Sequence, residues 1–139
     1  MKHKIGYNKL NRVAAHRKAL VRNMVTVLLK EEKIVTTKAK AIEARRAAEK
    51  LITRAKVDSV HNRRIASARL YGEDAVAKLF TDIGPRFKER NGGYTRILKL
   101  GDRANDAASL VVLELVDQKA DVKRAERDKR KAARKAKKQ

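Results

Sequence analysis

GPRFKERNGGYTRILKLGDRANDAASLVVLELV, residues 84–116, is where the chain changes its period. Upstream of Pro85 the apolar residues recur at helical spacing. From Tyr94 they alternate, and Tyr94 to Leu100 and Leu110 to Val116 form two strand-like runs on either side of the polar, turn-rich GDRANDAAS. Two alternating runs around such a linker predict a hairpin.

The rest of the fold is read outward from that hairpin. KIVTT, Lys33 to Thr37, is short and β-branched, so it predicts a third strand beside the hairpin, ending in a Thr able to cap the helix that follows. A first helix begins at about Asn11 or Val13, with Leu20, Met24 and Leu28 at i, i+4, i+8 beside Val21 and Val25, and with Arg17, Lys18 and Arg22 on other faces. A second runs from about Lys38 to Lys56, with Ile42, Ala48, Leu51, Ile52 and Ala55 as its apolar stripe. Asp58 and Ser59 offer an N-cap to a third helix reaching Leu70, which Gly72 terminates. Glu73 and Asp74 suit the positive end of a short fourth helix that turns Val76, Leu79 and Phe80 inward, and Gly84-Pro85 is expected to stop it. The fold class is α+β: about four helices packed on a small three-stranded sheet containing a C-terminal hairpin, with basic N- and C-terminal arms. One domain is expected over 1–118, including a basic arm at 1–11. A basic tail at 119–139 is able to form helix but has nothing to bury, and is expected frayed in isolation.

The charge is placed unevenly. The 139 residues carry 37 Lys and Arg against 16 Asp and Glu, a net charge of +21, and 16 of those charges lie in residues 1–30 and 119–139. Residues 1–30 hold eight bases and no acid. A nearly balanced middle between basic ends suits a protein whose ends run along phosphates, with binding driven by counterion release and weakened by salt. Solvation alone accounts poorly for Arg45-Arg46 and Arg63-Arg64, which lack enough neighbouring acids to pair throughout. Composition does not separate RNA from DNA, and a nucleoid-type DNA-binding protein is the alternative reading.

Other classes find little support. Without cysteine there is no disulfide, thiol nucleophile or thiolate metal site. Apolar runs such as Leu110 to Leu113 fall far short of the roughly 20 residues that cross a bilayer, and the N-terminus has no apolar signal region, so a cytoplasmic protein is expected. His3, His16 and His61 show no metal-site spacing, and Asp102 and Asp106 sit among turn residues, where Asp bonds to local backbone. No enzyme, cofactor, membrane partner or small-molecule substrate is expected.

Gly92-Gly93 admits three readings. A phosphate cradle needs GxxxxGK with Ser or Thr, or GxGxxG ahead of a helix, and these glycines precede a strand. A turn in which Asn91 and the glycines supply positive φ is what composition alone favours. Between the two lies a turn whose missing side chains let nucleic-acid backbone approach, as the surrounding Arg86, Lys88, Arg90, Arg96 and Lys99 would suit. Phe87 and Tyr94 are candidates for stacking on bases, although core positions are commoner for aromatics in a small domain.

The ordered blocks HRKALVRNM (16–24), IVTTKAKA (34–41), EKLIT (49–53), HNRRIASARL (61–70), KLF (78–80), GPRF (84–87), RNGGYTRILKLG (90–101) and ELV (114–116) resemble the bacterial large-subunit ribosomal protein L-seventeen family. The resemblance runs from about residue 1 to 117. It implies a small α+β domain bound to large-subunit rRNA near the exit of the nascent-peptide tunnel, with a structural and assembly role and with other large-subunit proteins as neighbours. The rRNA-binding residues it implies are Lys2, His3 and Lys4 of the arm, His16, Arg17, Arg22 and Asn23, then Thr36, Thr37 and Lys38, then Arg63 and Arg64. The Arg90 to Arg96 loop adds Arg90, Gly92, Gly93, Tyr94 and Arg96, with Arg86 beside it. One departure is Asn105, where many family members place glycine after the loop arginine, and it is expected to supply the positive φ there. The other is the tail from Lys119.

Overall fold

The computed structural model describes residues 6–117. The chain runs α1 (Ala14–Glu31), β1 (Lys33–Thr37), α2 (Lys38–Ala55), α3 (Val60–Arg69), α4 (Glu73–Lys78), a π-helical turn (Leu79–Ile83), α5 (Gly84–Arg86), β2 (Thr95–Asp102) and β3 (Ser109–Leu115). The three strands form one antiparallel sheet in the order β1-β3-β2. The hairpin strand β3 is therefore central, and the KIVTT strand pairs along it from Lys33↔Glu114 to Thr37↔Leu110.

The helices cover one face because the alternation of the strands sends Val111, Leu113 and Leu115 to that side, all fully buried. Against them pack Leu28 and Leu29 of α1 and Leu51 and Ile52 of α2. α2 buries a stripe that also includes Ala41, Ala44, Ala48 and Ala55. Small side chains let its backbone come close to its neighbours, whereas the longer Ile42 is only half-buried. Ser59 caps α3 by accepting from the Asn62 N–H at 3.2 Å, as its position predicts. Thr37 sits at the α2 N-cap with extended backbone, but its side chain makes no capping bond.

Three local expectations are corrected. Gly84-Pro85 does not stop the fourth helix: α4 passes through the π turn directly into α5, with Pro85 in the first turn of α5, where a missing N–H is tolerated. Gly84 is required by packing, since a Cβ there would overlap the Ala55 carbonyl oxygen at the end of α2. In the hairpin, β2 begins one residue later than expected and runs two residues further toward the turn, β3 begins and ends one residue earlier than expected, and a register shift lies between Lys99 and Gly101. The positive φ values fall on Gly101 (113°) and Ala107 (50°), not on Asn105, so Asn105 is not the residue that lets this turn close.

The C-terminus of α1 is joined to the rest by a buried ion cluster. Glu32 turns the chain with φ 65°, its N–H donating to the Leu28 carbonyl at 2.8 Å. Its carboxylate accepts from both terminal nitrogens of Arg86 at 2.8 and 2.9 Å and lies 3.2 Å from the Lys78 ammonium. Arg86 also reaches Asp82 at 3.0 Å and donates to the Asp117 carbonyl at 2.6 Å. These bonds hold the Arg86 guanidinium above its ordinary pKa, the bond to Glu32 being the largest cause. One arginine thus ties together α1, the π turn and the chain just beyond β3.

Candidate nucleic-acid interface

The cations expected to face nucleic acid divide into two kinds in the structure. Arg86 is nearly enclosed and saturated by carboxylates, as described above. Arg22 lies across the turn after α3: its Nε and Nη2 donate to the Leu70 carbonyl at 3.1 and 2.6 Å, and its guanidinium stacks 4.0 Å from the Tyr71 ring centroid. Both arginines hold elements together.

Others face water. His16, Asn23, Lys38, Arg63, Arg64 and Arg96 are exposed. Arg63 is held in place by a two-pronged bond to Asp58, both contacts at 2.6 Å, and lies 5.2 Å from the Phe80 ring centroid. That bond lowers the Asp58 carboxyl below its ordinary value. Arg96 is paired across the strands with Glu114 at 2.7 Å but keeps about half of its side chain in solvent. Arg64 has no ion pair among the described residues, which leaves its charge unneutralised within the chain described. Lys2, His3, Lys4 and the tail at 119–139 lie outside the described residues.

The Gly92-Gly93 turn is built as a turn. Gly92 has φ 118° and Gly93 φ 60°, values that favour glycine, whereas Asn91 is not in that region. Nothing lies within 4 Å of where a Cβ would stand on either glycine, so the backbone here is bare on its outer side. Lys56, just past α2, fixes the loop by donating to the Arg90 carbonyl. At the other end of the loop the Val116 N–H donates to the Tyr94 carbonyl at 3.0 Å.

Tyr94 does not reach outward. Its ring is 4 % exposed and meets the fully buried Phe87 edge-on, with centroids 5.4 Å apart. Neither aromatic is available to stack on a base. The Tyr94 hydroxyl accepts from Thr53 and lies near Lys56, which together draw its pKa below the ordinary value.

The fold brings some expected residues together and separates others. Thr37 and Lys38, at the β1–α2 corner, share a shallow depression with Asn8 of the N-terminal arm and Ser109 of β3. Arg17 comes beside the end of α3, on a groove that also takes in Tyr7, Lys18 and Arg69. The Arg90 to Arg96 loop stands apart, at the end of α2. Tyr7, Lys56 and Arg69 were not among the expected site residues. Arg17 lies 4.5 Å from the Tyr7 ring centroid, a contact between the N-terminal arm and α1 that no helical or strand spacing announces. Among the described residues there is no cluster of His, Asp or Glu able to hold a metal, and no helix is long and apolar enough to cross a membrane.

With this geometry in view, the similarity to known proteins is specific. A model of the ribosomal protein L17 family matches residues 20–116, from the middle of α1 to the end of the sheet. A protein of Treponema denticola, named large ribosomal subunit protein bL17, is 61 % identical over 128 residues, covering 92 % of this chain and 70 % of its own length. The protein of the same name from Treponema pallidum strain Nichols is 60 % identical over 131 residues, covering 92 % of this chain and 80 % of its own. In Borrelia turicatae the corresponding figures are 60 % over 118 residues, with 85 % and 95 % covered. The class these matches define is that of structural ribosomal components, not enzymes. The chain belongs to the ribosomal protein L17 family.

Proposed function

We propose that this protein is a structural constituent of the large ribosomal subunit, binding large-subunit rRNA near the nascent-peptide tunnel exit and supporting subunit assembly. The observation that carries this reading is identity near 60 % along most of the chain to proteins named for that subunit. The surface is consistent with it. Exposed cations on α1, α3 and the Gly92-Gly93 loop match a phosphate partner, and the bare glycine backbone lets a sugar-phosphate chain come close. The domain spans 1–118 and docks as a unit, with the basic tail at 119–139 as an appendage and neighbouring large-subunit proteins around it in the cytoplasm. In this reading the expected residues divide by role: Arg64, Arg63, Arg17, Lys38, Arg90 and Arg96 meet RNA, and Arg86, Arg22 and Tyr94 hold the surface that presents them.

Sedimentation of cell extract through a sucrose gradient tests the reading. The protein is expected with large subunits at low salt and is expected to leave them as salt rises, the logarithm of the affinity falling linearly with the logarithm of the salt concentration. Co-migration with DNA, free of large subunits, would replace this reading with the nucleoid one.

A further inference from the structure

The groove between α1, α2 and α3 has a composition that phosphate neutralisation does not explain. It encloses about 570 Å³, within the roughly 300–1,000 Å³ range of small-ligand sites. Its floor is apolar, made by Val21 and Val25 of α1 and Ala47 and Leu51 of α2. Its rim is cationic: Lys18 on α1 and Arg69 on α3 are exposed and have no ion pair among the described residues. A surface serving phosphates alone needs no apolar depression, and a simple packing gap would not carry two unpaired cations at its rim.

The wall is aromatic and held in place. Tyr7 is 46 % exposed, and the Arg17 guanidinium lies over its ring. The arm is tied to α2 next to it, since Glu43 Oε1 accepts from both the Asn8 N–H at 3.0 Å and the Asn8 side-chain amide at 2.7 Å, and Arg46 donates to the Gly6 carbonyl. Glu43 is the carboxylate in the lining, and Arg46 lies 3.7 Å from it, so the mouth keeps its positive sign.

Resting on the rRNA-binding reading above, we infer that this groove receives one unpaired nucleotide. The base enters the apolar slot beside Tyr7, and the flanking phosphates meet Lys18, Arg17 and Arg69. Single-stranded loops and bulges are where RNA offers a base free to leave its stack, and aromatic or guanidinium planes are what such bases stack on. Charge complementarity selects this occupant over an apolar protein side chain, which would leave Lys18 and Arg69 without partners.

The test compares the affinity of the full chain for two short RNA hairpins by fluorescence anisotropy. One carries a single-nucleotide bulge; the other carries an abasic residue at the bulge, so backbone and charge are the same. The base is expected to tighten binding by about tenfold. Ala68→Trp, which places a ring in the groove from the exposed face of α3 and leaves every cation intact, is expected to abolish that difference without altering the circular dichroism. Equal affinity for the two hairpins, or a difference that survives Ala68→Trp, overturns the inference but leaves rRNA binding standing. Failure to bind either hairpin at low salt overturns both. In whole subunits, a photocrosslinker in place of Ala68 is expected to capture an unpaired nucleotide, and capture of a neighbouring protein instead overturns the inference.

Discussion

Arg86 and Arg64 are the same residue type in a strongly basic chain, and the fold uses them in opposite ways. Arg86 is buried beside two carboxylates and joins three parts of the chain, while Arg64 stands on the outer side of α3 with no ion pair among the described residues. What separates them is the location of the acids. Glu32 and Asp82 are spent on the interior and Asp58 on Arg63, so on α3 Arg64 and Arg69 keep their charge. In this protein the positions of the acids largely decide which cations remain unpaired.

The sharpest way to break that comparison is to truncate each arginine. Arg86→Ala is expected to cost about 3 kcal/mol in urea unfolding, the low end for opening a buried pair because Lys78 still faces Glu32. Arg64→Ala is expected to change stability by less than about 0.5 kcal/mol. Its effect belongs to binding, where the log-log salt slope should become shallower by about 0.7–0.9. A stability loss of similar size in both variants would show that the division between interior and surface arginines is wrong.

Gly84→Ala should come next, at about 1–3 kcal/mol, because the added methyl meets the Ala55 carbonyl and one backbone segment has to move. An unchanged melting temperature would mean that the two segments are less tightly packed than they look. Gly93→Val then sets the loop against the joint. Its φ of 60° makes a side chain unfavourable by about 1–2 kcal/mol even though the space around it is open. Lost incorporation into large subunits with only this modest destabilisation is expected from a backbone that RNA approaches, and full incorporation would reduce the glycine to its turn.

The smallest effect concerns Asp58, the exposed partner of Arg63. The bond to Arg63 depresses its folded pKa below the ordinary 3.8, so the pair's contribution is present above that pH and is lost as pH falls through the lower folded value. A carboxyl titration followed by NMR should give a midpoint below 3.8 for Asp58, moving back toward it in Arg63→Ala. A midpoint already at the ordinary value would show that Arg63 is free in solution.

The sheet was legible because strands leave a local mark: KIVTT is β-branched, and the two alternating runs flank a turn-rich linker. The fourth helix was misjudged at its end for a physical reason. A Gly-Pro pair ordinarily stops a helix, but here the π turn resets the hydrogen bonding so that Pro85 falls where no N–H is needed. Which arginines turn inward was not legible at all. Arg86 and Glu32 are 54 positions apart, and no local pattern foretells their meeting. No local pattern marks Tyr7 and Arg69 as neighbours of Arg17 either, and the choice between stacking and core that the sequence leaves open for Tyr94 is decided for the core by its contact with Phe87.

The central place of β3 has a consequence for the order of events during synthesis. Among the described residues β1 has no strand partner except β3, and β3 is the last of the described strands to be made. While the residues between them are being added, β1 waits with both of its edges unpaired, and the sheet forms only when β3 inserts between strands made earlier. Such distant pairing is entropically slow. The sheet therefore closes late, when β3 pairs with β1 and β2 and the Asp117 carbonyl just beyond it reaches Arg86.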